Sequence, residues 1–385
     1  MSALPRLLYI GNVPVEAGMG GSGLIYRLLC EYPPERLMIV QGRKGDGFER
    51  LSGVPYNIVK PTRFLPSRWS GLRAMASVVH AHIAARSIAA QIEAFRPNAV
   101  VTVTHGWEWI AAWRVARRLG LPLHLISHDD WEPTLPVPTF LRGWTRRCFA
   151  YAYRDAASRL CISPYMAAHY ERHFGAPGTV LYPSRAKDVL SPEGPPEPRA
   201  SNGFTVGYAG SVHAAFAPAL RALATALEAI GGRLLIYSNL SASSAGALGL
   251  VAAHVQIEPA MPPVELIRCL RSKTDALFLV MSEVGLNSRI CFPSKLVDYT
   301  ATGLPIIVSA PKESAPAYWV REHPAAAVYV DAGDDESLHS AVVALAEDPG
   351  RRRALGVQAQ QIGDAQFAYA RARDTFFAAL TLPYG

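Results

Sequence analysis

The sequence predicts an α/β protein built from two parallel-sheet domains of similar length. Short apolar runs alternate with helix-length segments along most of the 385 residues, and a proline-rich stretch interrupts the alternation near the middle. Strand-length runs separated by helices are typical of parallel sheets, because the crossover helices cover both faces of the sheet. A chain of this length also suits two domains better than one core.

Seven apolar runs mark the strands of the first predicted domain, which covers residues 1–185. These runs are 6–11, 36–41, 55–59, 98–103, 122–127, 158–162 and 178–182. We expect the interdomain linker at 186–203, because four prolines between Ser191 and Pro198 exclude a helix or an inner strand there.

Six further runs mark the strands of the second predicted domain, residues 204–364. They are 204–209, 233–237, 254–257, 275–280, 305–308 and 326–330. The last segment, 365–380, is aromatic and amphipathic and is predicted to be a helix.

Composition narrows the class of protein and its surroundings. The five cysteines are odd in number and at least 13 residues apart, so neither a disulfide framework nor a zinc site is expected. No signal-peptide pattern and no apolar run of about 18 residues are present, so a cytoplasmic location is expected.

The charge is unevenly distributed along the chain. Residues 1–185 carry 22 Lys and Arg against 12 Asp and Glu, whereas 186–385 carry 16 against 19. The first half is therefore expected to meet an anionic partner. Nucleic acid is not expected, because no lysine-rich tail or RNA-binding motif is present.

The most informative stretch is 291–308, which reads as a loop, a short helix, a turn and a buried strand. Pro293 suits the first turn of a helix, where Ser294 and Lys295 would offer backbone N–H groups and a positive charge to a phosphate. Asp298 lies one turn further on the same side and can accept hydrogen bonds from a diol. A ligand that carries both a phosphate and a diol is typically a nucleotide, so the stretch predicts a nucleotide-binding site.

A motif that starts at Pro293 resembles the donor motif of GT-B glycosyltransferases in the retaining group called family 4. It reads Pro-Ser-Lys-Leu-x-Asp-Tyr-x-Ala-x-Gly-x-Pro-Ile. The resemblance implies two Rossmann-like domains facing across a cleft, with the terminal helix packed back onto the first domain. It also implies that Asp298 holds the ribose of a nucleotide sugar. The helix start, including Leu296, would face the pyrophosphate.

A glycine loop, Gly18-Met19-Gly20-Gly21-Ser22-Gly23, matches the dinucleotide fingerprint G-x-G-x-x-G. Its first glycine does not follow the strand directly, and the second predicted strand ends without an acid, so a dehydrogenase is the weaker interpretation. Arg43 and Lys44 would suit a 2′-phosphate and keep that alternative open. By resemblance, the backbone of Gly20 and Gly21 approaches the donor sugar or phosphate.

Two histidines, His105 and His128, follow successive predicted strands and are therefore expected at the ligand-binding edge of the sheet. The resemblance assigns His128 to the reacting sugar, with Asp129 or Asp130 orienting it or accepting a proton. Asp129-Asp130 is not a D-x-D metal pair. By resemblance, the enzyme needs no metal and no cofactor, because lysine and helix dipoles neutralise the leaving diphosphate.

The second domain opens with a glycine turn in which Gly210 and Ser211 are expected near the diphosphate, with His213 close by. Here the chain departs from the family, which has an arginine and a lysine shortly after this turn. Ile290 stands where the family has the first of two acids, and Glu283 or Asn287 could substitute for it.

Two stretches combine basic and aromatic residues, 61–77 with Arg63, Arg68, Trp69 and Arg73, and 140–147 with Trp144. Such stretches suit an anionic membrane surface, or else an ordinary solvated helix face. Taken with the family resemblance, which implies retention and no metal, the sequence predicts a hexosyltransferase. It would move a sugar from a nucleotide sugar to a lipid-linked or glycan acceptor in surface polysaccharide or glycolipid assembly. It would work in the cytoplasm or on the inner face of the membrane. The alternatives are a nucleotide-sugar epimerase of the same fold and a non-catalytic scaffold.

Overall fold

The computed structural model describes residues 4–18, 20–59, 70–134, 137–194, 196, 203–281 and 285–381, without the side chains of 70–75, 77, 78 and 285. The chain divides into two compact units. The first comprises Met1–Tyr182 with Ala370–Gly385, and the second comprises Pro183–Tyr369.

The first unit is a parallel sheet of seven strands, ordered β3-β2-β1-β4-β5-β6-β7. Most of its strands are fully buried because helices cover the sheet, which explains their continuous apolar sequences. The strands are β1 Leu7–Gly11, β2 Leu37–Gln41, β3 Tyr56–Ile58, β4 Ala99–Val103, β5 Leu123–Ser127, β6 Ser158–Cys161 and β7 Thr179–Val180. The helices are α1 Gly20–Leu29, α2 Ser70–Gln91, α3 Glu108–Leu119, α4 Thr139–Asp155, α5 Pro164–Phe174 and the carboxy-terminal α14 Tyr369–Leu380.

The second unit is a six-stranded parallel sheet, ordered β10-β9-β8-β11-β12-β13. Its strands are β8 Thr205–Ala209, β9 Arg233–Tyr237, β10 Val255–Glu258, β11 Ala276–Val280, β12 Ile306–Ala310 and β13 Val328–Asp331. Its helices are α6 Ala217–Glu228, α7 Ala242–Ala247, α8 Pro263–Lys273, α9 Gly285–Ile290, α10 Ser294–Thr300, α11 Ala315–Glu322, α12 Asp335–Glu347 and α13 Pro349–Phe367. Each of the thirteen predicted apolar runs overlaps one strand, so the predicted fold class is confirmed.

Strand order reverses in each sheet between the first and fourth strands of that unit. In the first unit Leu7 of β1 pairs with Leu37 on one side and Ala99 of β4 on the other. In the second unit β8 lies between β9 and β11. Ligands of open parallel sheets bind at the carboxyl ends of the strands beside such a reversal, because the two chains leave there in opposite directions. The fold therefore indicates one candidate site in each unit.

The proline-rich stretch belongs to the second unit, which begins at Pro183 rather than after a linker at 186–203. The buried Arg185 guanidinium pairs with Asp364 of α13 and donates to Thr300 Oγ1 at 3.1 Å. Gln360 Nε2 donates to the Pro192 carbonyl oxygen at 2.8 Å. Residues 183–194, which are described, contain no helix or strand, as expected, and these side-chain contacts hold them against α10 and α13.

The carboxy-terminal segment differs from the predicted single helix 365–380. The chain is extended at Ala368, which separates α13 from α14. Phe367, before the break, packs against Trp319 and Phe292 of the second unit. Phe376, after it, lies in the core of the first unit with Ile25 and Leu28. The two ends of the segment therefore pack into the cores of different units. The amphipathic pattern of the sequence is continuous across the break and does not predict this division.

Candidate functional site

Lys295 is the central residue of the candidate site in the second unit. It lies in the first turn of α10 with its ammonium 4.2 Å from the ring centroid of Tyr208 and 5.4 Å from that of Phe216. Its Nζ also donates a hydrogen bond to the Tyr208 hydroxyl. Burial lowers the pKa of Lys295 to about 8. Among the described residues no carboxylate forms an ion pair with it, so the site holds a desolvated cation suited to an anionic ligand.

Gly210 brings the turn after β8 against Lys295. Its φ is +121°, and a Cβ built on it would lie 2.4 Å from Lys295 Cε. Any other residue would therefore displace the lysine as well as strain the backbone. The Tyr208 hydroxyl donates to the Ser211 carbonyl oxygen at 2.7 Å, and the Tyr299 hydroxyl accepts from the Ala209 N–H at 2.8 Å. The two tyrosines thus fix the glycine turn to α10.

The start of α10 differs from the sequence prediction in two respects. Pro293 is the residue before the helix, with an extended ψ of 122°, and α10 begins at Ser294. Leu296 is fully buried, so its side chain belongs to the core and only its backbone faces the start of the helix. Ser294 and Asp298 are half-buried on the same helix as Lys295, as the spacing predicts.

The first unit has a pocket of about 200 Å³ at the carboxyl ends of its strands. It is lined by Asn12, Val13, Gly21, Ser22, Arg43, Asp46, Val103, His105, His128 and Asp129. The lining residues come from the ends of β1, β2, β4 and β5 and from the start of α1, so the pocket lies beside the reversal of strand order. His105, His128 and Asp129, predicted from separate strand ends, do come together here.

His128 faces this pocket as a neutral imidazole. Its pKa is lowered to about 4, mainly by burial, with Asp129 opposing the shift and His105 adding to it. Its buried Nδ1 has no hydrogen-bond partner among the described residues. The same atom lies 3.9 Å from the position of a Cβ built on Gly21, so the glycine loop and the histidine approach closely. An uncharged imidazole with one nitrogen unused can bind a hydroxyl or move a proton near pH 7.

The structure separates the two adjacent aspartates. Asp130 is buried and its Oδ1 accepts a hydrogen bond from the Tyr170 hydroxyl at 3.1 Å, away from the pocket lining. Asp129 lines the pocket. Of the alternatives left open by the sequence, Asp129 is therefore the one placed beside the two histidines.

Sequence reasoning missed the contacts of Glu108, a carboxylate bonded to the pocket residue Asn12. Asn12 Nδ2 donates to Glu108 Oε2 at 3.0 Å, and the Trp107 N–H donates to the same oxygen at 2.9 Å. A Cβ on Gly42 would lie 1.9 Å from Glu108 Oε1, so the residue after β2 is a glycine where the carboxylate needs the space. Burial raises the pKa of Glu108. All of these residues follow predicted strands, and that position at the ligand-binding edge of the sheet could have indicated them from the sequence.

Several other predicted residues are exposed, are bonded within a helix or are not described. His213 and Ser211 are exposed, and the His213 ring contacts Phe216 at 5.5 Å. Gly20 is exposed at the start of α1 with φ +63°. Asn287 lies in α9, where its Oδ1 accepts from Cys291 Sγ at 2.7 Å. Glu283 lies outside the described residues. Within the described part of the chain no group of three or more His, Cys, Asp or Glu is arranged to hold a metal ion.

Comparison with known proteins agrees with the fold described above. Residues 35–184 match the family model described as Glycosyltransferase Family 4. A search of the curated proteins found no match. Among solved structures, HepE from Anabaena in complex with UDP and glucose superposes with a TM-score of 0.70 at 12% identity, covering 98% of this chain and 99% of HepE.

Two further structures of the same architecture cover nearly the whole chain. Sucrose-phosphate synthase from Thermosynechococcus elongatus gives a TM-score of 0.66 at 13% identity and covers 96% of both chains. The lipopolysaccharide outer core galactosyltransferase WaaB gives 0.63 at 15% identity and covers 97% of this chain and 98% of WaaB. The two units therefore form the two-domain, Rossmann-like GT-B fold, and the family match supports a glycosyltransferase.

Proposed function

We propose that the protein transfers a sugar from a nucleoside diphosphate sugar to an acceptor. The observation that carries the proposal is Lys295, a half-buried cation held by Tyr208 and Gly210 with no carboxylate partner among the described residues. Burying a charge costs free energy unless a partner compensates it, so such a lysine is poised for an anion that binds there. The diphosphate of a nucleotide sugar meets that requirement and leaves with the charge that Lys295 stabilises.

The roles of the other residues follow from their positions. Asp298, on the same helix as Lys295, holds the ribose hydroxyls, and the glycine turn at Gly210 lets its backbone approach the phosphates. In the first unit, neutral His128 and Asp129 bind the hydroxyls of the reacting sugar or the acceptor. Lysine and backbone dipoles would neutralise the leaving group, so the reaction is proposed to need no metal or other cofactor.

The family resemblance supports the finer points of the proposal. These are transfer of a hexose with retention of configuration, and a lipid-linked or glycan acceptor in surface polysaccharide or glycolipid assembly. We place the reaction in the cytoplasm or on the inner face of the membrane. Because HepE was solved with UDP and with UDP-glucose, UDP is the first nucleotide to test.

The direct test is thermal stabilisation of the full chain by a panel of nucleoside diphosphates and nucleotide sugars. A ligand at about a hundredfold its Kd stabilises the folded state by about 2.7 kcal/mol. We expect one nucleoside diphosphate to raise the melting temperature more than its nucleoside, because the phosphates contact Lys295. A panel in which no nucleotide stabilises the protein would contradict the proposal.

The pKa of Lys295, lowered to about 8 by burial, predicts that nucleotide affinity depends on pH. Phosphate favours the protonated ammonium, so affinity should fall as pH rises through about 8, by up to about tenfold per pH unit. When nucleotide binds near pH 9, Lys295 should also take up a proton. Calorimetry in buffers of different ionisation enthalpy measures this uptake. Lys295→Met, which has no titrating group there, should show neither effect. Constant wild-type affinity between about pH 7 and 9.5 would count against a phosphate contact.

A second prediction concerns the ribose. Asp298→Asn keeps the size of the side chain but weakens its acceptor strength, so we expect it to bind the ribonucleotide more weakly. The matching 2′- or 3′-deoxynucleotide should lose less, because it lacks a hydroxyl that Asp298 would bind. Isothermal titration of both nucleotides against both proteins measures the difference. Equal losses for the two nucleotides would make Asp298 a structural acid of α10.

A further inference from the structure

Large apolar side chains are exposed on two helices of the first unit. Phe140, Trp144 and Tyr151 of α4 and Val79 and Ile83 of α2 are between 38% and 71% exposed. Exposed apolar residues scattered singly are ordinary, but a cluster marks an interaction surface. These five residues are therefore candidates for one docking surface.

The exposed residues form a stripe on each helix. On α4 they follow at four, three and four residues as Phe140, Trp144, Arg147 and Tyr151, a spacing that keeps them on one side. The opposite side of α4, with Cys148, Phe149 and Ala152, is buried in the core.

On α2 the same spacing relates Val79, Ile83 and Arg86, which are all exposed. Ala81, Ala84, Ala85 and Ile88 of that helix are buried. The ring of His82 lies 5.4 Å from that of Trp144, so the two stripes are neighbours. We call the seven exposed stripe residues the α2–α4 face: Val79, Ile83, Arg86, Phe140, Trp144, Arg147 and Tyr151.

The charged residues of these helices are mostly basic. The sequences of α2 and α4 contain six arginines and one acid, Asp155. Asp155 ends α4 four residues after Tyr151 and accepts a hydrogen bond from Trp113 Nε1 at 3.3 Å. Arg146 pairs with Glu132, whereas Arg86 and Arg147 are exposed and form no ion pair with the described residues. The face therefore combines bulky apolar side chains with unneutralised positive charge.

We propose that the α2–α4 face docks the protein on the surface of an anionic lipid bilayer. Aromatic and aliphatic side chains enter the headgroup region, and arginines beside them pair with lipid phosphates. A second copy of the chain fits the face poorly, because a two-fold contact would bring the same positive surface onto itself. No helix among the described residues is long and apolar enough to cross a bilayer, so this contact would lie at the membrane surface.

The proposal partly replaces the surface predicted from sequence. Residues 61–69 and the side chains of 70–75 lie outside the described part of the chain, so Arg63, Arg68, Trp69 and Arg73 contribute no argument here. The stretch 140–147 supplies Phe140, Trp144 and Arg147 of the face. The α2 stripe was missed, because an exposed Val or Ile in a helix looks like a core residue in sequence.

The test measures binding of the full chain, without nucleotide, to vesicles of phosphatidylcholine with and without phosphatidylglycerol. We expect binding to the anionic vesicles at low salt and release by added salt, because screening shortens the range of the arginine charges. Arg86→Gln with Arg147→Gln should weaken binding about fivefold for each arginine. Ile83→Ser, Phe140→Ser and Trp144→Ser together should weaken it by about tenfold or more, through lost apolar burial.

Matched controls exist in the second unit, where Leu190 and Val251 are exposed apolar residues and Arg351 and Arg353 are exposed basic residues. Leu190→Ser with Val251→Ser, and Arg351→Gln with Arg353→Gln, should bind vesicles like the wild type. All variants should keep the wild-type melting temperature and UDP affinity, which separates this test from the proposed sugar transfer.

Three results would overturn the proposal. The first is no binding to anionic vesicles at low salt. The second is equal binding by the α2–α4 variants and their controls. The third is a wild-type dimer in light scattering that the Phe140 and Trp144 substitutions dissociate, since that would assign the face to a second copy of the chain.

Discussion

Lys295→Ala is expected to weaken nucleoside diphosphate binding by about ten- to a hundredfold, because one charge-assisted hydrogen bond to phosphate contributes roughly 1.5–3 kcal/mol. Turnover at low substrate should fall by at least the same factor, since the leaving diphosphate carries more charge in the transition state than in the substrate. Isothermal titration and initial rates measure the two losses. Lys312→Ala is a matched control, because Lys312 is an exposed lysine of the same unit and lies outside the site.

In the unliganded protein, loss of the Lys295 charge should increase stability, whereas the same loss weakens nucleotide binding. The pKa of Lys295 is lowered from 10.5 to about 8, so protonation favours the unfolded chain and stability is lost as pH falls between these values. At neutral pH the full cost is present. Lys295→Met should therefore raise the free energy of unfolding by on the order of 1–2 kcal/mol, partly offset by the lost contact with Tyr208. A variant that loses both stability and binding would point to a structural lysine.

His128→Ala is expected to lower kcat by about a hundredfold or more, the range in which a positioned acid, base or hydroxyl ligand acts. Nucleoside diphosphate affinity should change little, because Lys295 and Asp298 belong to the second unit. Steady-state kinetics together with nucleotide titration separates the two effects. His169→Ala is the matched control, since His169 is a half-buried histidine of α5 that stacks on His173 outside the pocket.

The pH profile of the wild type provides a further check on His128. Its pKa is lowered to about 4 in the folded state, so the imidazole stays neutral where an ordinary histidine would already be charged. Activity that depends on the neutral form should persist down to about pH 5, provided the protein remains folded. The linked stability is present above the unfolded pKa near 6.5 and declines as pH falls below it. Kinetics near wild type in His128→Ala would return this residue to a structural role.

Local patterns in the sequence determined the class and order of the elements. Fully buried parallel strands are continuous apolar runs, so strands such as β1, β4 and β11 could be predicted in order without knowing their neighbours. The helix Ser294–Thr300 was predicted with Lys295 and Asp298 one turn apart, because i and i+3 positions share a side of any helix. Strand ends likewise predicted His105 and His128, since parallel strands carry their ligands at one edge.

Only the tertiary structure decided which side chains meet across elements. Tyr208 lies 87 positions before Lys295 and Asn12 lies 96 before Glu108, and no local period relates such pairs. Asp129 and Asp130 are chemically identical neighbours, yet Tyr170 of α5 binds one and leaves the other in the pocket lining. The division of 365–380 between two cores and the exposure of the α2–α4 face have the same cause. Burial depends on what packs against a residue, and that is set by the three-dimensional arrangement of distant segments rather than by the residues beside it.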